Sequence, residues 1–319
     1  MNRWWSVILG ALLLLAPDSG FAQYNESAGV SAPVKQMKEV SRDDSGGEVV
    51  RSVETHVDSD SYGNASGNQY DLAVDGAFEG QTITVLQFYT DGGFDFEAPR
   101  KALAEKGFSV YRWSNQAPSA QELEEALSKS NQLWIISGDS QRLNAEHLAV
   151  IKKFFDAGHG LYIWGDNPPY VGDANFISSA LFDTTMDATS YKEAQQTIGF
   201  QKKTGEVGFL PNHLLTTGIE HLYEGHTIPA LQENQMLEPL IYGSDEILVA
   251  AFYDKDGKRA IVDTGFTRLY IQWDTAGTGR YVKNAAAWLA NVERFGEEVA
   301  KPETRTPRTT EITKPNGGK

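Results

Sequence analysis

The chain has no cysteine in 319 residues. That absence excludes disulfides, a thiolate nucleophile and lipid attachment at a lipobox cysteine. Basic residues are scarce: 28 Lys and Arg stand against 43 Asp and Glu, for a formal net charge of −15. Nucleic acid and anionic membrane surfaces repel such a chain, so neither is expected as a partner. Histidine is also sparse, and none lies beyond His226. One uncharged apolar stretch stands at the N-terminus, Trp4 to Ala16, and it is too short for a comfortable membrane span.

What is present begins with that stretch. Arg3 precedes it, and Gly20 and Ala22 put small residues at the −3 and −1 positions before Gln23. This is the pattern of a secretory signal peptide over residues 1–22, with an uncleaved anchor as the alternative. Export is expected, and in a Gram-negative host a periplasmic or released mature protein that is not integral to the membrane after cleavage. Residues 23–76 are rich in Ser, Gly, Asp, Glu and Asn with isolated valines, which reads as a disordered acidic linker, either a plain tether or a partner-binding arm. Residues 298–319, rich in Pro, Thr and Lys, read as a disordered tail. One folded domain is expected between them, over 77–297.

Within it, buried-strand runs alternate with amphipathic helices. Thr82 to Tyr89 is a strand ending at Thr90-Asp91-Gly92-Gly93, although no G-x-G-x-x-G spans that turn. A helix from 96 to 106, a strand over Phe108–Arg112 and a helix opened by the Ser119-x-x-Glu122 capping box follow. Leu133–Ile136 and Leu161–Trp164 are strands flanking a helix from Asn144 to Ala157, closed by Gly158 at a left-handed C′ position. Strand–helix–strand units of this kind imply a parallel α/β sheet with right-handed crossovers. Further on, Pro168-Pro169 ends the regular series, a short helix covers 176–181, and 183–212 is an excursion over the sheet edge. Strands at Leu240–Gly243, Ile247–Tyr253 and Arg259–Asp263 follow, the last two forming a hairpin around Asp254–Gly257. A final strand over Leu269–Trp273 leads to a helix over Tyr281–Val292.

Four segments together resemble the class I glutamine amidotransferase-like superfamily, in an exported, uncharacterised non-glutaminase branch. They are the first strand with Asp91-Gly92-Gly93; Ile136-Ser137-Gly138-Asp139, similar to an oxyanion loop; Gly158 to Gly165, similar to the strand entering a nucleophile elbow; and the Trp273 region with the closing helix, including Asn284–Leu289. The resemblance covers roughly residues 80–293. It implies a flavodoxin-like three-layer α/β sandwich with a mostly parallel central sheet. Active members carry a cysteine at the elbow, where this chain reads Ile163-Trp164-Gly165-Asp166, and a His-x-Glu pair where it reads Trp273-Asp274-Thr275. Glutaminase chemistry is therefore excluded, and the domain reads as a pseudoenzyme.

Asp91, Asp139, Asp166 and Asp274 all fall at expected strand ends on one sheet edge, where α/β ligands gather. They suit acid–base roles or a divalent cation, and equally suit caps and turns. Gly92, Gly93, Gly138 and Ser140 are candidate ligand contacts, although Ser140 lacks the downstream histidine a serine hydrolase needs. Gly277, Gly279 and Arg280 open the last helix and suit an anion, in a pocket walled by Trp164 and Trp273. His213, His221 and His226 with Glu220 and Glu224 hold metal-ligand types without metalloprotease spacing. No cofactor is expected, a divalent cation apart. The functional expectation is a non-catalytic domain binding an envelope protein or a small ligand, with an envelope hydrolase using the aspartates on carbohydrate as the alternative. N-terminal sequencing of the protein recovered from a Gram-negative host should show a chain beginning at Gln23; an intact Met1 in membrane fractions would establish the anchor instead.

Overall fold

The computed structural model describes residues 23–42, 45–187, 192–193, 196–273 and 276–299. The expected signal peptide, Asp274 with Thr275, and the tail beyond residue 299 lie outside them. A hairpin of β1 (Val34–Arg42) and β2 (Glu48–His56) comes first. Then follow β3 (Thr82–Gln87), α1 (Glu97–Glu105), β4 (Ser109–Ser114), α2 (Ala120–Leu127), β5 (Gln132–Ile136), α3 (Ala145–Asp156), β6 (Gly160–Trp164) and α4 (Gly172–Phe182). Short strands come next: β7 (Lys192–Glu193), β8 (Thr197–Ile198), β9 (Gly208–Phe209), β10 (Leu222–Tyr223) and β11 (Thr227–Ile228). The chain closes with β12 (Glu238–Tyr242), β13 (Leu248–Lys255), β14 (Lys258–Asp263), α5 (Thr278–Leu289) and α6 (Val292–Val299).

Eight strands make one sheet in the order β4-β3-β5-β6-β14-β13-β12-β9. The five from β4 to β14 are parallel, and β13, β12 and β9 extend the sheet antiparallel. Alternation along the strands sorts side chains onto two faces. Trp134, Ile136, Tyr162 and Trp164 pack toward α1 and α5, while Leu133, Ile135, Leu161 and Ile163 pack toward α2, α3 and α4. Helices on both faces make these strands continuous apolar runs rather than half-polar ones. The result is a flavodoxin-like three-layer sandwich. Its first four core strands lie in the order second, first, third, fourth, so the connections reverse direction between β3 and β5, and the crevice that binds ligands in such sheets opens at their carboxyl ends.

Local rules set the element ends. Ser119 and Glu122 cap α2 reciprocally, Asn144 and His147 do the same for α3, and Gly158 sits at φ 99°. Asp256 and Gly257, at φ 54° and 66°, form the two-residue turn that joins β13 to β14. α4 starts earlier than expected, at Gly172, because Ser137 Oγ accepts from the first backbone amides of that helix.

Two expectations are corrected. Residues 269–273 are not a strand: a 3-10 turn spans Phe266–Leu269 and turns continue to Trp273. Tyr270 N and Ile271 N both donate to Thr267 O, at 3.3 and 2.8 Å, so the backbone turns on itself where a strand would extend. The stretch from 23 to 76 is likewise not a bare linker. Leu72 and Ala73 are fully buried, and Asp71, with no exposed surface, pairs with Lys106, Arg280 and Lys283 at 2.8 Å each. Asn284 Oδ1 accepts from Leu72 N and its Nδ2 donates to Thr217 O, so α5 is tied to this segment on its buried side. Polar composition suggested solvent exposure; the ion pairs offset the desolvation instead.

Removing one member of such a cluster strands the rest. Asp71→Ala should lower unfolding free energy by about 3–5 kcal/mol in urea titrations. Loss below about 1 kcal/mol, the range of exposed pairs, would place Asp71 in water.

Candidate functional site

The carboxyl ends of β3, β5, β6 and β14 meet in a cluster of tyrosines and aspartates. β3 hands on to Tyr89 and Asp91. Gln87 Nε2 fixes this turn by donating to Tyr89 O and Phe94 O, at 2.9 and 3.0 Å, while Arg112 holds Gln87 Oε1. Tyr89 is buried against Tyr170 and Phe266, with ring centroids 4.9 and 4.7 Å apart, and its hydroxyl lies 2.9 Å from that of Tyr270. Burial and this hydroxyl contact push the Tyr89 phenol up, and burial does the same for Tyr270, so both stay protonated. The Tyr170 hydroxyl donates to Asp91 Oδ2 at 3.1 Å.

β5 hands on to Ser137-Gly138-Asp139-Ser140. Gly138 is needed there, since a Cβ would stand 2.7 Å from Phe88 O. Asp139 is exposed; Ser140 Oγ donates to it at 3.0 Å and Arg142 at 3.1 Å. The Ser140 hydrogen bond, with Arg142 beside it, holds its carboxyl below the ordinary value. The loop is anchored from behind by Asp173, whose Oδ1 accepts from Arg142 N and Leu143 N at 2.8 Å.

β6 hands on to Gly165-Asp166. Asp166 is 4% exposed, and its Oδ1 accepts from Asn167 N at 2.7 Å. Burial pushes its carboxyl up to about 7. Asp91 joins the Tyr89–Tyr270 pair through Tyr170, whose ring packs against Tyr89.

No family model and no curated protein matches the chain. Solved structures similar to it include a GMP synthase-type protein from Thermoplasma acidophilum, 11% identical with a TM-score of 0.45, covering 68% of this chain and 98% of that one. A ThuA-like protein from Bacteroides uniformis is 11% identical with a TM-score of 0.42, covering 66% of this chain and 91% of its own. A cytoplasmic protein from Salmonella typhimurium, 10% identical with a TM-score of 0.42, covers 81% and 95%. Likeness at this distance assigns no residue a role.

The remaining expected site residues lie elsewhere. Trp164 has no exposed surface; it stacks on Tyr162 at 4.2 Å, beneath α5, and walls no cleft. Trp273, Gly277, Gly279 and Arg280 line an open cavity of about 710 Å³ between α1, α5 and residues 60–71. Its cations already face carboxylates. Arg280 already donates to Asp71, Gly218 O and Gly67 O, Lys283 binds Asp71 and Glu105, and Asp60, Asp95, Glu97 and Glu105 line the same walls. Gly277, at φ 79°, has its own structural reason, because a Cβ there would meet His221 O at 2.9 Å. Gly92 and Gly93, at φ 63° and 78°, turn the chain after Asp91. Asp274 lies outside the described residues.

The histidine segment is structural. His213 packs 4.5 Å from Phe252, and burial lowers its imidazole to about 4, so it stays neutral. Glu224 is fully buried and accepts from Gln196 N, Ser244 N and Ser244 Oγ, while Glu220 accepts from Ala32 N. Among the described residues, no three His, Cys, Asp or Glu side chains are grouped to hold a metal ion. Nor is any helix among them long and apolar enough to cross a membrane.

Sequence reasoning missed the three tyrosines and the network beneath them. Asp263 Oδ2 accepts from Arg268 at 2.9 Å, Tyr281 at 3.1 Å and Tyr162 at 3.2 Å, and Arg268 also donates to Glu224 O at 3.0 Å. A carboxylate closing the apolar strand β14 was the available clue; nothing local marks Arg268.

The Asp166 environment has a signed pH consequence. Its folded value of about 7 lies above the ordinary 3.8, so the native state holds the proton more tightly. Stability from this group is full below pH 4 and falls as pH rises toward 7, by on the order of 4 kcal/mol. Asp166→Asn should flatten that decline between pH 4.5 and 8 in urea unfolding; an unchanged slope would show that the carboxyl is solvated.

Proposed function

We propose that this protein is an exported, non-glutaminase amidotransferase-like domain that binds a small ligand at the carboxyl edge of its sheet. The observation that carries the reading is the state of the carboxylates at that edge. Asp91 is engaged by Tyr170, Asp139 by Ser140 and Arg142, and the elbow holds the buried Asp166 in a chain without cysteine. Two of the three are committed to shaping contacts, and the chain holds no cysteine to act as the thiolate nucleophile. Phenol hydroxyls and carboxylates around aromatic rings suit a ligand that both donates and accepts hydrogen bonds, such as a sugar or another polyol. The acidic surround disfavours anionic ligands.

Because a ligand that binds only the native state raises its stability, thermal unfolding against sugars, nucleotides and divalent cations tests this. A sugar should raise Tm, and Tyr270→Phe with Asp91→Asn should abolish the rise while leaving the unliganded Tm within a few degrees. A shift confined to nucleotides, or one that survives both substitutions, would place binding elsewhere.

One observation favours a second reading. A carboxyl titrating at about 7 is poised for general acid–base catalysis, which suits an envelope hydrolase acting on carbohydrate. Hydrolysis of chromogenic glycosides with a pH profile breaking near that value, lost in Asp166→Asn, would establish it in place of pure binding.

A further inference from the structure

The β1–β2 hairpin stands apart from the sandwich. Its strands pair with each other across nine residue pairs and, among the described residues, with no third strand. Every position of β2 except Val49 is exposed, and Val34, Met37, Val40, Val50 and Val53 leave between 37% and 60% of their surface open. A two-stranded ribbon is marginal in water, and a long edge bearing valines is a template for another strand. The sequences VKQMKEVSR and EVVRSVETH hold four basic and three acidic residues, so the ribbon is nearly neutral in a chain of net charge −15. A copy of the same ribbon can therefore approach it without the repulsion between two acidic bodies.

We propose that two copies of this protein pair through β1, edge to edge and antiparallel, in a four-stranded sheet with a twofold axis at Met37. A twofold axis perpendicular to a sheet keeps each side chain on its own face, so it must pass through one residue position rather than between two. With Met37 on the axis, Met37 faces Met37 and Val34 faces Val40. Since Met37 pairs with Val53 and Val40 with Val50, one face carries the row Val53, Met37, Met37, Val53 across all four strands. The other face carries Val50, Val40 and Val34 in a row. Cross-strand apolar rows of this kind are the stabilising unit of a sheet. Other registers of β1 carry a penalty: an axis at Val40 also aligns Val50, Val40, Val40 and Val50 but sets Lys38 against Arg42, an axis at Lys38 or at Glu39 sets like charges together, and one at Gln36 sets Val34 against Lys38. Along β2, an axis at Arg51 opposes Arg51 to itself and Glu48 to Glu54, and axes at Val50 or Val53 keep an apolar row but oppose no unlike charges, whereas the Met37 axis sets the lysine position 35 opposite Glu39. Strand pairing through β1 is thus self-complementary at one register.

The absence of cysteine makes a direct test available, because a single introduced thiol cross-links only between copies. Residues facing each other across an antiparallel pair lie about 4.5–5.5 Å apart at Cα, within disulfide reach. Under mild oxidation the purified Met37→Cys protein should form a covalent dimer, whereas Val53→Cys, one strand further from the axis on each side, should not. In sedimentation velocity the wild-type chain should run as a dimer of the 35.2 kDa chain, and Met37→Lys should weaken the dimer about tenfold or more. A wild-type monomer, equal cross-linking of both cysteine variants, or a dimer indifferent to Met37→Lys would overturn the proposal. Substitutions on an exposed ribbon leave the sandwich core intact, so unfolding of the domain does not confound these outcomes.

Discussion

The contact on which the site depends is the buried ion pair of Asp263 and Arg268, neither of which has any exposed surface. Asp263 ends the last parallel strand and Arg268 lies in the turn that carries Phe266 and Tyr270. Their attraction folds that turn back under the sheet edge instead of letting it run on as a strand. Hydroxyls of Tyr162 and Tyr281 complete the carboxylate's shell, and Arg268 lies over the rings of Trp164 and Tyr281 at 5.8 and 5.3 Å. Desolvating two charges is expensive, and the pair offsets part of that cost through the hydrogen bonds to the Asp263 carboxylate and from Nη1 and Nη2 of Arg268. Its structural return is position: β6, β14, the turn and α5 are held at one point.

A second polar cluster does the corresponding work on another side of the first turns of α5. Asp71 gathers Lys106 from the end of α1 and both Arg280 and Lys283 from α5, clamping the N-terminal segment over the helix layer. The alanines of α5 let the helix lie close to the sheet, and Gly160 leaves room for Leu289 O, which an added Cβ would approach to 2.5 Å. Packing and electrostatics thus act on the same helix from opposite sides.

Legibility in the sequence followed the range of the interaction. Capping boxes, the C′ glycine, the two-residue hairpin turn and the apolar runs of the sheet depend on neighbours within a few residues, and the structure has them at the expected places. Trp164 was misplaced because a tryptophan beside a strand end reads equally as wall or core, and only the closure of α5 over Tyr162 and Trp164 decides between them. Arg280 looked free because its partner, Asp71, lies 209 residues away. The tyrosines of the edge went unnoticed for the same reason: Tyr89, Tyr170 and Tyr270 share no local pattern and meet only when three connections end at one sheet edge.

By itself the sequence determined the alternation of strands and helices, hence a parallel α/β sheet, and it excluded thiol chemistry outright, since no arrangement of the chain supplies a missing atom. It also put aspartates at the strand ends, because strand ends are set by local periodicity. Tertiary structure decided which of those aspartates is buried, which polar residues are paired rather than solvated, and where the chain after β14 goes. Those outcomes turn on desolvation offset by distant partners, a balance that composition and periodicity do not contain.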